Sequence, residues 1–421
     1  MYIEPPSSIA IIGAGPIGLE AALYARFLGY NVRIFERGQV ADNVLNWGHV
    51  RMFSPFRMNA SALGLRALAA QDEAYQPPGP EEFLTGSQWL EHYLLPLARS
   101  DLVTDGLSER TRVLSITRQD FRKGEVIGDA RRAASPFRML LEDDVGQREE
   151  FAEVVIDTSG TFGNHNWMGA GGSPAVRELR CRHRIEYGLP DILGNEKDKY
   201  VGRRTLVVGS GYSAATNVVA LAELLGEAAS GDVLWVTRTR EGSDDDAPIA
   251  RIENDRLPAR DELAVHANAL AAEGKVQHWS GAVISSIAYD DSAQQFSVQI
   301  VREDDVTEHT FDSVIANVGY RPDASLFEEL QVQQCYATGG PMKLAAALFV
   351  LETSADCLDQ QSHGPETLLN PEPNFYILGS KSYGRNSNFL VSIGLQQIRD
   401  VFTIIGDRAD LDLYKTMSAT T

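Results

Sequence analysis

The sequence predicts an α/β protein with two parallel-sheet domains, because it contains two separate strand–turn–helix–strand units. In the first unit, a β-branched run at residues 9–13 leads through a glycine-rich turn into an apolar helical stretch that ends near Leu28. A second strand follows at residues 31–36 and ends at Glu36. Since a helical crossover connects the two strands, they should lie parallel.

The second unit repeats this order. A strand at residues 205–209 precedes a glycine-containing turn, an apolar helix at residues 217–225 and a strand at residues 233–237. Its first glycine, Gly209, lies 196 residues after Gly13, so the two units form separate domains rather than short tandem repeats.

Two weaker patterns place the domain boundaries. Apolar strands end at Gly160 and at Gly319, and each would close one segment of the chain. We therefore predict that residues 175–310 form a domain inserted between residues 1–174 and residues 311–421. A length of 421 residues suits two such domains and leaves little for a third.

Composition narrows the function classes. The formal net charge of −20 argues against binding to a nucleic-acid backbone, because that affinity comes mainly from basic side chains. Three cysteines with gaps of 154 and 22 residues provide no CxxC, no zinc-ligand spacing and no disulfide framework. The chain starts without a signal-peptide pattern and has no run of about 18 apolar residues, so we expect a cytoplasmic protein with no metal and no membrane span.

The first glycine motif, Gly13-x-Gly15-x-x-Gly18, follows a strand and opens a helix. Its first glycine permits a tight turn, its second lets the backbone approach a pyrophosphate, and its third allows close packing of the helix on the strand. The helix N-terminus favours an anion, and Glu36 at the end of the next strand can accept hydrogen bonds from ribose hydroxyls. These features predict a Rossmann-like dinucleotide site.

The second motif, Gly209-x-Gly211-x-x-Ala214, ends in the alanine that this fingerprint tolerates. Its second strand is followed by Arg238 and Arg240 instead of an acidic residue, and arginine can grip a 2′-phosphate. We therefore predict NADPH here, although the two arginines could instead be surface residues that balance the acidic run at residues 244–246. Because dinucleotides are anions, an acidic protein must hold them with amides, helix N-termini and a few placed arginines.

The two motifs in this order resemble those of flavoproteins with two dinucleotide-binding domains, and within them most closely the flavin-containing and N-hydroxylating monooxygenases. Thioredoxin-reductase-like proteins are the neighbouring branch. The resemblance implies FAD in the first domain and NADPH in an inserted second domain. Members of this group are often dimers, which leaves a homodimer open. The cofactor-binding residues that the motifs and the resemblance imply are Gly13, Gly15, Pro16, Ile17, Gly18, Glu36, Arg37, Trp47, Val113, Gly160 and Gly379 for FAD, and Gly209, Gly211, Tyr212, Ser213, Ala214, Arg238 and Arg240 for NADPH.

The sequence also departs from the family pattern. No closely spaced cysteine pair is present to take electrons from the flavin, which disfavours thiol–disulfide chemistry. The glycine–aspartate pair whose carboxylate binds the ribityl chain in the reductases reads Gly379-Ser380 here, and residues 161–167 only partly match the monooxygenase signature.

The resemblance places residues 46–59 beside the flavin, with Asn59 near its C4a position. An amide there can donate a hydrogen bond to a developing peroxide oxygen. His49 and Arg51 could polarise the flavin or bind an anionic substrate group, although His49 could equally be structural and Trp47 a packing residue.

A polar stretch after the strand ending at Gly379 is a second candidate for the substrate region. A hydrogen-bonded loop that caps the following helix, at about residues 391–405, is an equal alternative for this stretch. Its candidate wall residues are Lys381, Tyr383, Arg385, Asn386 and Asn388.

The leading functional hypothesis is an FAD-dependent, NADPH-using monooxygenase that passes one oxygen of O₂, through a C4a-hydroperoxyflavin, to a small-molecule amine, sulfur or carbonyl. One alternative is an NADPH-dependent flavin reductase that passes electrons to a protein or quinone. Another is a redox-sensing protein that binds dinucleotides without turnover.

Overall fold

The computed structural model describes residues 3–227, 230–238, 247–350 and 362–418. The chain divides into two units. Unit 1 contains the residues up to Asn164 together with those from Arg321 onward, and unit 2 is the continuous segment His165–Tyr320.

The secondary structure combines parallel sheets, antiparallel sheets and helices, as expected for an α/β protein. The strands are β1 (Ser8–Ile12), β2 (Asn31–Phe35), β3 (Leu107–Ser108), β4 (Arg112–Arg118), β5 (Phe137–Asp143), β6 (Gly146–Ala152), β7 (Val154–Asp157), β8 (Arg204–Val208), β9 (Asp232–Val236), β10 (Gln277–Trp279), β11 (Ala282–Asp290), β12 (Gln295–Arg302), β13 (Asp305–Phe311), β14 (Ser313–Ala316) and β15 (Phe375–Ile377). The helices are α1 (Pro16–Phe27), α2 (Asp42–Leu45), α3 (Ala62–Gln71), α4 (Gly86–Trp89), α5 (Leu95–Ala98), α6 (Asp101–Thr104), α7 (Glu178–Cys181), α8 (Tyr212–Glu227), α9 (Pro258–Ala272), α10 (Met342–Val350), α11 (Val391–Ile405) and α12 (Leu413–Ser418).

Unit 1 is built around a parallel sheet with the strand order β15-β7-β1-β2-β3. Because side chains alternate along a strand, β1 faces two different cores. Ile9 and Ile11 pack with helices α1 and α11, whereas Ala10 and Ile12 pack with the antiparallel sheet β4-β5-β6. The central strand is therefore buried on both sides, which explains its continuous apolar sequence.

Unit 2 repeats this layering. Its parallel sheet has the order β10-β9-β8-β14, and a second, antiparallel sheet contains β11, β12 and β13. Leu206 and Val208 of β8 pack in a core with residues of the antiparallel sheet, whereas Val207 packs with α8 and α9. The two sequence units therefore correspond to two similar three-layer structures.

The observed inserted segment is longer than residues 175–310 by ten residues at each end. At one end, Met168 belongs to the apolar core of unit 2. At the other end, β14 pairs with β8, with Val314 opposite Leu206, so it completes the parallel sheet of unit 2. No helix in the described ranges is long and apolar enough to cross a membrane.

Candidate dinucleotide-binding sites

The turn between β1 and α1 is crowded at its first and third glycines and open at the second. Gly13 has a φ of +100°, which favours glycine. A Cβ added to Gly18 would lie 2.0 Å from the Gly13 carbonyl oxygen, whereas one added to Gly15 meets no atom within 4 Å. Gly15 is also the N-cap of α1, and no side chain caps it. The turn therefore offers an open backbone cradle at a helix N-terminus, which suits a pyrophosphate.

Glu36 lies next to this turn, at the carboxyl end of β2. Its Oε2 accepts a hydrogen bond from the Ala14 N–H at 2.8 Å, and its Oε1 accepts one from the Gly38 N–H at 2.9 Å. The carboxylate is therefore held in place and keeps further lone pairs for ribose hydroxyls. The neighbouring Arg37 is exposed, and its guanidinium lies against Gly163.

Other predicted FAD residues also lie near the carboxyl edge of this sheet. Gly160 and Gly379 follow β7 and β15, and both have positive φ values, +68° and +76°. The side chain of Ile17 lies against Gly379. Val113 is buried in β4, next to a register shift in its pairing with β5.

The polar stretch after β15 differs from the predicted substrate wall at its first positions. Lys381 is 1% exposed, and its Nζ lies 2.6 Å from Asp157 Oδ2 and 3.0 Å from Ser159 Oγ. Tyr383 is also buried, and its hydroxyl has no hydrogen-bond partner in the described chain. Lys381 therefore joins the turn after β15 to the turn after β7.

The remaining predicted wall residues lie closer to the surface. Arg385 is exposed, whereas Asn386 and Asn388 are half-buried. The Asn388 N–H donates to Asn386 Oδ1 at 2.9 Å, and no side chain caps the start of α11. These three residues stay candidates for substrate contact.

In the stretch at residues 46–59, Asn59 is 5% exposed, and its amide is already engaged. Its Nδ2 donates to the Ser54 hydroxyl at 2.9 Å, to the Pro55 carbonyl at 3.0 Å and to the Ser54 carbonyl at 3.2 Å. The backbone carbonyl of Asn59 accepts a hydrogen bond from Trp89 Nε1 at 3.0 Å. In this conformation Asn59 stabilises its own loop, and a donor role towards a bound oxygen would require these bonds to rearrange.

The other predicted residues of this stretch are more accessible. His49 and Arg51 are exposed, and Arg51 forms an isolated antiparallel bridge with Thr85. Trp47 is half-buried and packs against Gly86, and its buried indole N–H has no partner among the described residues.

The second glycine turn, between β8 and α8, repeats the geometry of the first. Gly209 has a φ of +139°, and a Cβ there would lie 2.2 Å from the Asn317 carbonyl oxygen. A Cβ on Gly211 meets no atom within 4 Å, and Ala214 is fully buried. Trp235 Nε1 donates to the Gly209 carbonyl at 2.8 Å. This turn is therefore also crowded at its first glycine, Gly209, and open at its second, Gly211.

The first two residues of α8 lie beside this opening. Tyr212 and Ser213 are half-buried, and the Arg260 guanidinium lies 5.8 Å from the centre of the Tyr212 ring.

The residues after β9 differ from those after β2. By strand register, Thr237 occupies the position that Glu36 occupies in unit 1. The Thr237 hydroxyl lies 2.8 Å from His278 Nε2, a neighbour that the sequence did not reveal. Arg238 is exposed next to it, whereas Arg240 and the acidic run at 244–246 lie outside the described residues. No carboxylate therefore occupies the position that would repel a 2′-phosphate.

Comparison with known proteins agrees with this geometry. A family model of the pyridine nucleotide-disulphide oxidoreductases matches residues 10–129. No curated protein sequence matches the chain. Among solved structures, a bacillithiol disulfide reductase from Bacillus cereus is 19% identical with a TM-score of 0.67, and the match covers 96% of this chain and 99% of that one.

Two further structures represent the branches named by the sequence resemblance. A cadaverine monooxygenase of desferrioxamine biosynthesis from Erwinia amylovora is 14% identical with a TM-score of 0.62, over 95% of this chain and 94% of that one. A thioredoxin reductase from T. acidophilum is 16% identical with a TM-score of 0.58, over 95% and 97%.

The chain has the fold of the two-dinucleotide-binding-domain flavoproteins. The predicted α/β class, the two Rossmann-like domains and the resemblance to this group are confirmed. The matched family model is named for oxidoreductases, and the three structures are named as two reductases and a monooxygenase.

Two of the three cysteines lie in the described ranges. Cys181 lies in unit 2 and Cys335 in unit 1, both are buried, and both are free thiols. Cys357 lies outside the described residues. Within the described ranges, no group of three or more His, Cys, Asp or Glu side chains is arranged to hold a metal ion.

One polar network in unit 1 is not predicted by the sequence pattern. Glu20, on the apolar helix α1, is 2% exposed and accepts hydrogen bonds from the Tyr93 hydroxyl and, at 2.8 Å, from Ser61 Oγ. Burial raises the pKa of Glu20 from 4.5 to about 7, although these hydrogen bonds lower it in part. An acidic residue two positions after Gly18, in an otherwise apolar run, was the available signal.

Proposed function

We propose that the protein is an oxidoreductase that binds FAD in unit 1 and NADPH in unit 2. The observation that carries this proposal is the pair of glycine turns, each closed at its first glycine and open at its second. Two such turns on two parallel sheets in one chain suit two dinucleotides.

The residues around each turn favour a particular cofactor. In unit 1, the fixed carboxylate of Glu36 suits the ribose hydroxyls of FAD, and the open backbone at Gly15 suits its pyrophosphate. In unit 2, Thr237 and the exposed Arg238 favour the 2′-phosphate of NADPH over the hydroxyl of NADH. When bound, FAD would supply the redox chemistry, and the chain's own residues would bind, orient and exclude water.

Within this class, we favour a monooxygenase. NADPH, a proton and O₂ would be converted to NADP⁺ and water, while one oxygen atom is added to a small-molecule amine, sulfur or carbonyl. The sequence has no closely spaced cysteine pair, and this supports the choice because a dithiol relay needs two thiols close together.

A second candidate is an NADPH-dependent reductase that passes electrons to a protein or quinone. The hydrogen bonds of Asn59 favour it, since the amide expected to assist oxygen transfer is engaged by Ser54 and Pro55.

The two candidates can be distinguished with purified, FAD-loaded protein, with Gly211→Asp as a control designed to block the NADPH site. NADPH consumption, O₂ uptake, hydrogen peroxide and product mass would be followed with a panel of amines, sulfides and ketones. A product heavier by one oxygen atom, formed in proportion to NADPH, is the result expected for the monooxygenase. Release of peroxide alone with every compound, together with rapid NADPH oxidation by an added quinone, would favour the reductase. FAD binding without NADPH consumption would instead favour a redox-sensing binding protein.

A further inference from the structure

Unit 2 contains a group of three packed aromatic rings. These rings belong neither to the glycine turn nor to the region of Arg238, the two features assigned to NADPH above. The rings of His165 and Tyr187 are stacked, with centroids 3.5 Å apart and an angle of 13° between their planes. Trp167 packs edge-on against both, with centroid distances of 4.7 Å to His165 and 6.3 Å to Tyr187. All three residues are half-buried. We call this group the aromatic platform.

Hydrogen bonds hold Tyr187 of the platform in place. Its hydroxyl donates to Glu178 Oε1 at 2.9 Å, and its carbonyl accepts a hydrogen bond from the Tyr320 hydroxyl at 3.0 Å. Glu178 is itself fully buried and accepts a further bond from the Ala175 N–H at 2.7 Å. The platform is therefore a preorganised surface and not a set of loose side chains.

The protonation of the His165 ring follows from its neighbour. Its Nδ1 lies 2.7 Å from the backbone carbonyl oxygen of Asn166, and a carbonyl can only accept a hydrogen bond. Nδ1 therefore carries a proton, and in the neutral ring Nε2 is the acceptor.

Gly188 and Asn317 connect the platform to the second glycine turn. The Asn317 carbonyl lies against Gly209, and Asn317 Nδ2 donates to the Gly188 carbonyl at 2.7 Å. Gly188 follows Tyr187 in sequence, and Asn217 Nδ2 of α8 donates to the same carbonyl at 3.2 Å. The platform thus lies beside the carboxyl end of β14, on the side of the turn away from β9.

The strand order indicates which part of a dinucleotide would reach this place. In unit 2, β8 carries the glycine turn, with β9 on one side and β14 on the other. A dinucleotide binds across such a point, where the strand order reverses. If the 2′-phosphate lies at Arg238 after β9, the other half of the molecule extends towards β14.

We propose that the aromatic platform of His165, Trp167 and Tyr187 binds the nicotinamide half of NADPH and NADP⁺. The proposal rests on the NADPH assignment in the proposed function and deepens it. Flat rings suit the flat nicotinamide ring, and the positive charge of that ring in NADP⁺ is attracted to aromatic faces. The His165 Nε2 acceptor also matches the N–H donors of the nicotinamide carboxamide.

The test compares two ligands on the full, FAD-loaded protein by isothermal titration calorimetry. One ligand is NADP⁺, and the other is 2′,5′-ADP, which has the adenosine and the 2′-phosphate but no nicotinamide. The variants are His165→Ala and Trp167→Leu. Tyr289→Ala is the matched control, because Tyr289 packs on Phe296 in the antiparallel sheet of the same unit. Far-ultraviolet circular dichroism and thermal unfolding show whether each variant is folded.

We expect His165→Ala and Trp167→Leu to weaken NADP⁺ by about tenfold or more, the order seen when one stacked aromatic is removed. They should leave 2′,5′-ADP within about twofold of its original affinity, and Tyr289→Ala should change neither ligand. Folded variants with unchanged NADP⁺ affinity, or with equal losses for both ligands, would overturn the platform assignment alone. A wild-type protein that binds neither ligand would instead overturn the NADPH assignment of the proposed function.

Discussion

Replacing Glu20 by glutamine should remove a pH dependence from the stability of unit 1. The buried carboxyl has a pKa of about 7 in the folded protein, against 4.5 as its ordinary value. Between these two pH values the folded state keeps a proton that the unfolded chain has released. The free energy of unfolding therefore falls as pH rises from about 4.5 to about 7 and is constant outside that range as far as Glu20 is concerned.

The size of the effect follows from the two pKa values. A difference of about 2.5 at about 1.4 kcal/mol per pH unit corresponds to about 3 kcal/mol of stability lost above pH 7. Glutamine cannot ionise, so the Glu20→Gln variant lacks this loss. Its stability relative to the wild type should be about 3 kcal/mol more favourable at pH 8 than at pH 4.5. Because this compares one substitution at two pH values, the cost of altered hydrogen bonds to Tyr93 and Ser61 largely cancels.

The assay should report on unit 1 separately, since a protein with two units need not unfold in one step. Urea unfolding followed by hydrogen-exchange mass spectrometry of peptides covering residues 86–98 would do so. The control is Glu223→Gln, which replaces an exposed carboxylate on α8 in unit 2. If Glu20→Gln and the wild type showed parallel pH profiles in the unit 1 peptides, Glu20 would not be the group that titrates.

Three further predictions concern the two sites. Arg238→Glu should weaken NADPH binding at least about tenfold and change NADH binding little, as measured by calorimetry, because it places a negative charge beside the 2′-phosphate; equal losses would refute the 2′-phosphate assignment. Gly15→Ala should lower FAD affinity while leaving the melting temperature of the FAD-free protein unchanged. Gly18→Ala should lower both, because the Cβ added at Gly18 meets protein atoms and the one added at Gly15 does not. Lys381→Met should cost about 3–5 kcal/mol of stability in urea unfolding by leaving the Asp157 carboxylate buried and unpaired, and the double variant with Asp157→Ala should recover most of it. A double variant no more stable than the single one would refute that explanation.

The glycine turns could be predicted from sequence because their determinants are local. The crowding at Gly18 comes from the carbonyl of Gly13, five residues away, and the opening at Gly15 lies between them. Strand, turn and helix in register therefore predict the turn, although distant residues contribute to the crowding, Thr158 in unit 1 and Asn317 in unit 2. The same holds for Glu36, which reaches the turn because β2 lies directly beside β1.

The sequence could not predict the roles of residues whose partners lie far away in the chain. The sequence predicts Lys381 in a substrate wall or a hydrogen-bonded capping loop, but its partner Asp157 is 224 residues away, at the end of β7. Asn59 illustrates a different difficulty. Its hydrogen bonds are local, to Ser54 and Pro55, but they depend on the path of an irregular loop that periodicity does not define. A residue type that suits a reaction is thus a weaker guide than the bonds that the residue already makes.

The chain provides its own comparison between the two units. In both glycine turns, a side chain donates a hydrogen bond to the carbonyl of the first glycine. The donor is the Thr158 hydroxyl in unit 1 and the Trp235 indole N–H in unit 2. The backbone geometry of the glycine turn is therefore common to both units, whereas the side chains that hydrogen-bond to it differ.

The same comparison distinguishes residues of the shared frame from residues that belong to one site. By register with the first strand of each unit, Asp157 at the end of β7 corresponds to Ala316 at the end of β14. Since Ala316 shows that the fold does not need a charge at this position, the buried pair of Asp157 and Lys381 is particular to unit 1. Glu36 and Thr237 differ in the same way after the second strand. The shared backbone of strand, glycine turn and helix follows from steric limits that apply to both units. The positions at which the two units carry different side chains are therefore where the two sites can acquire different ligands.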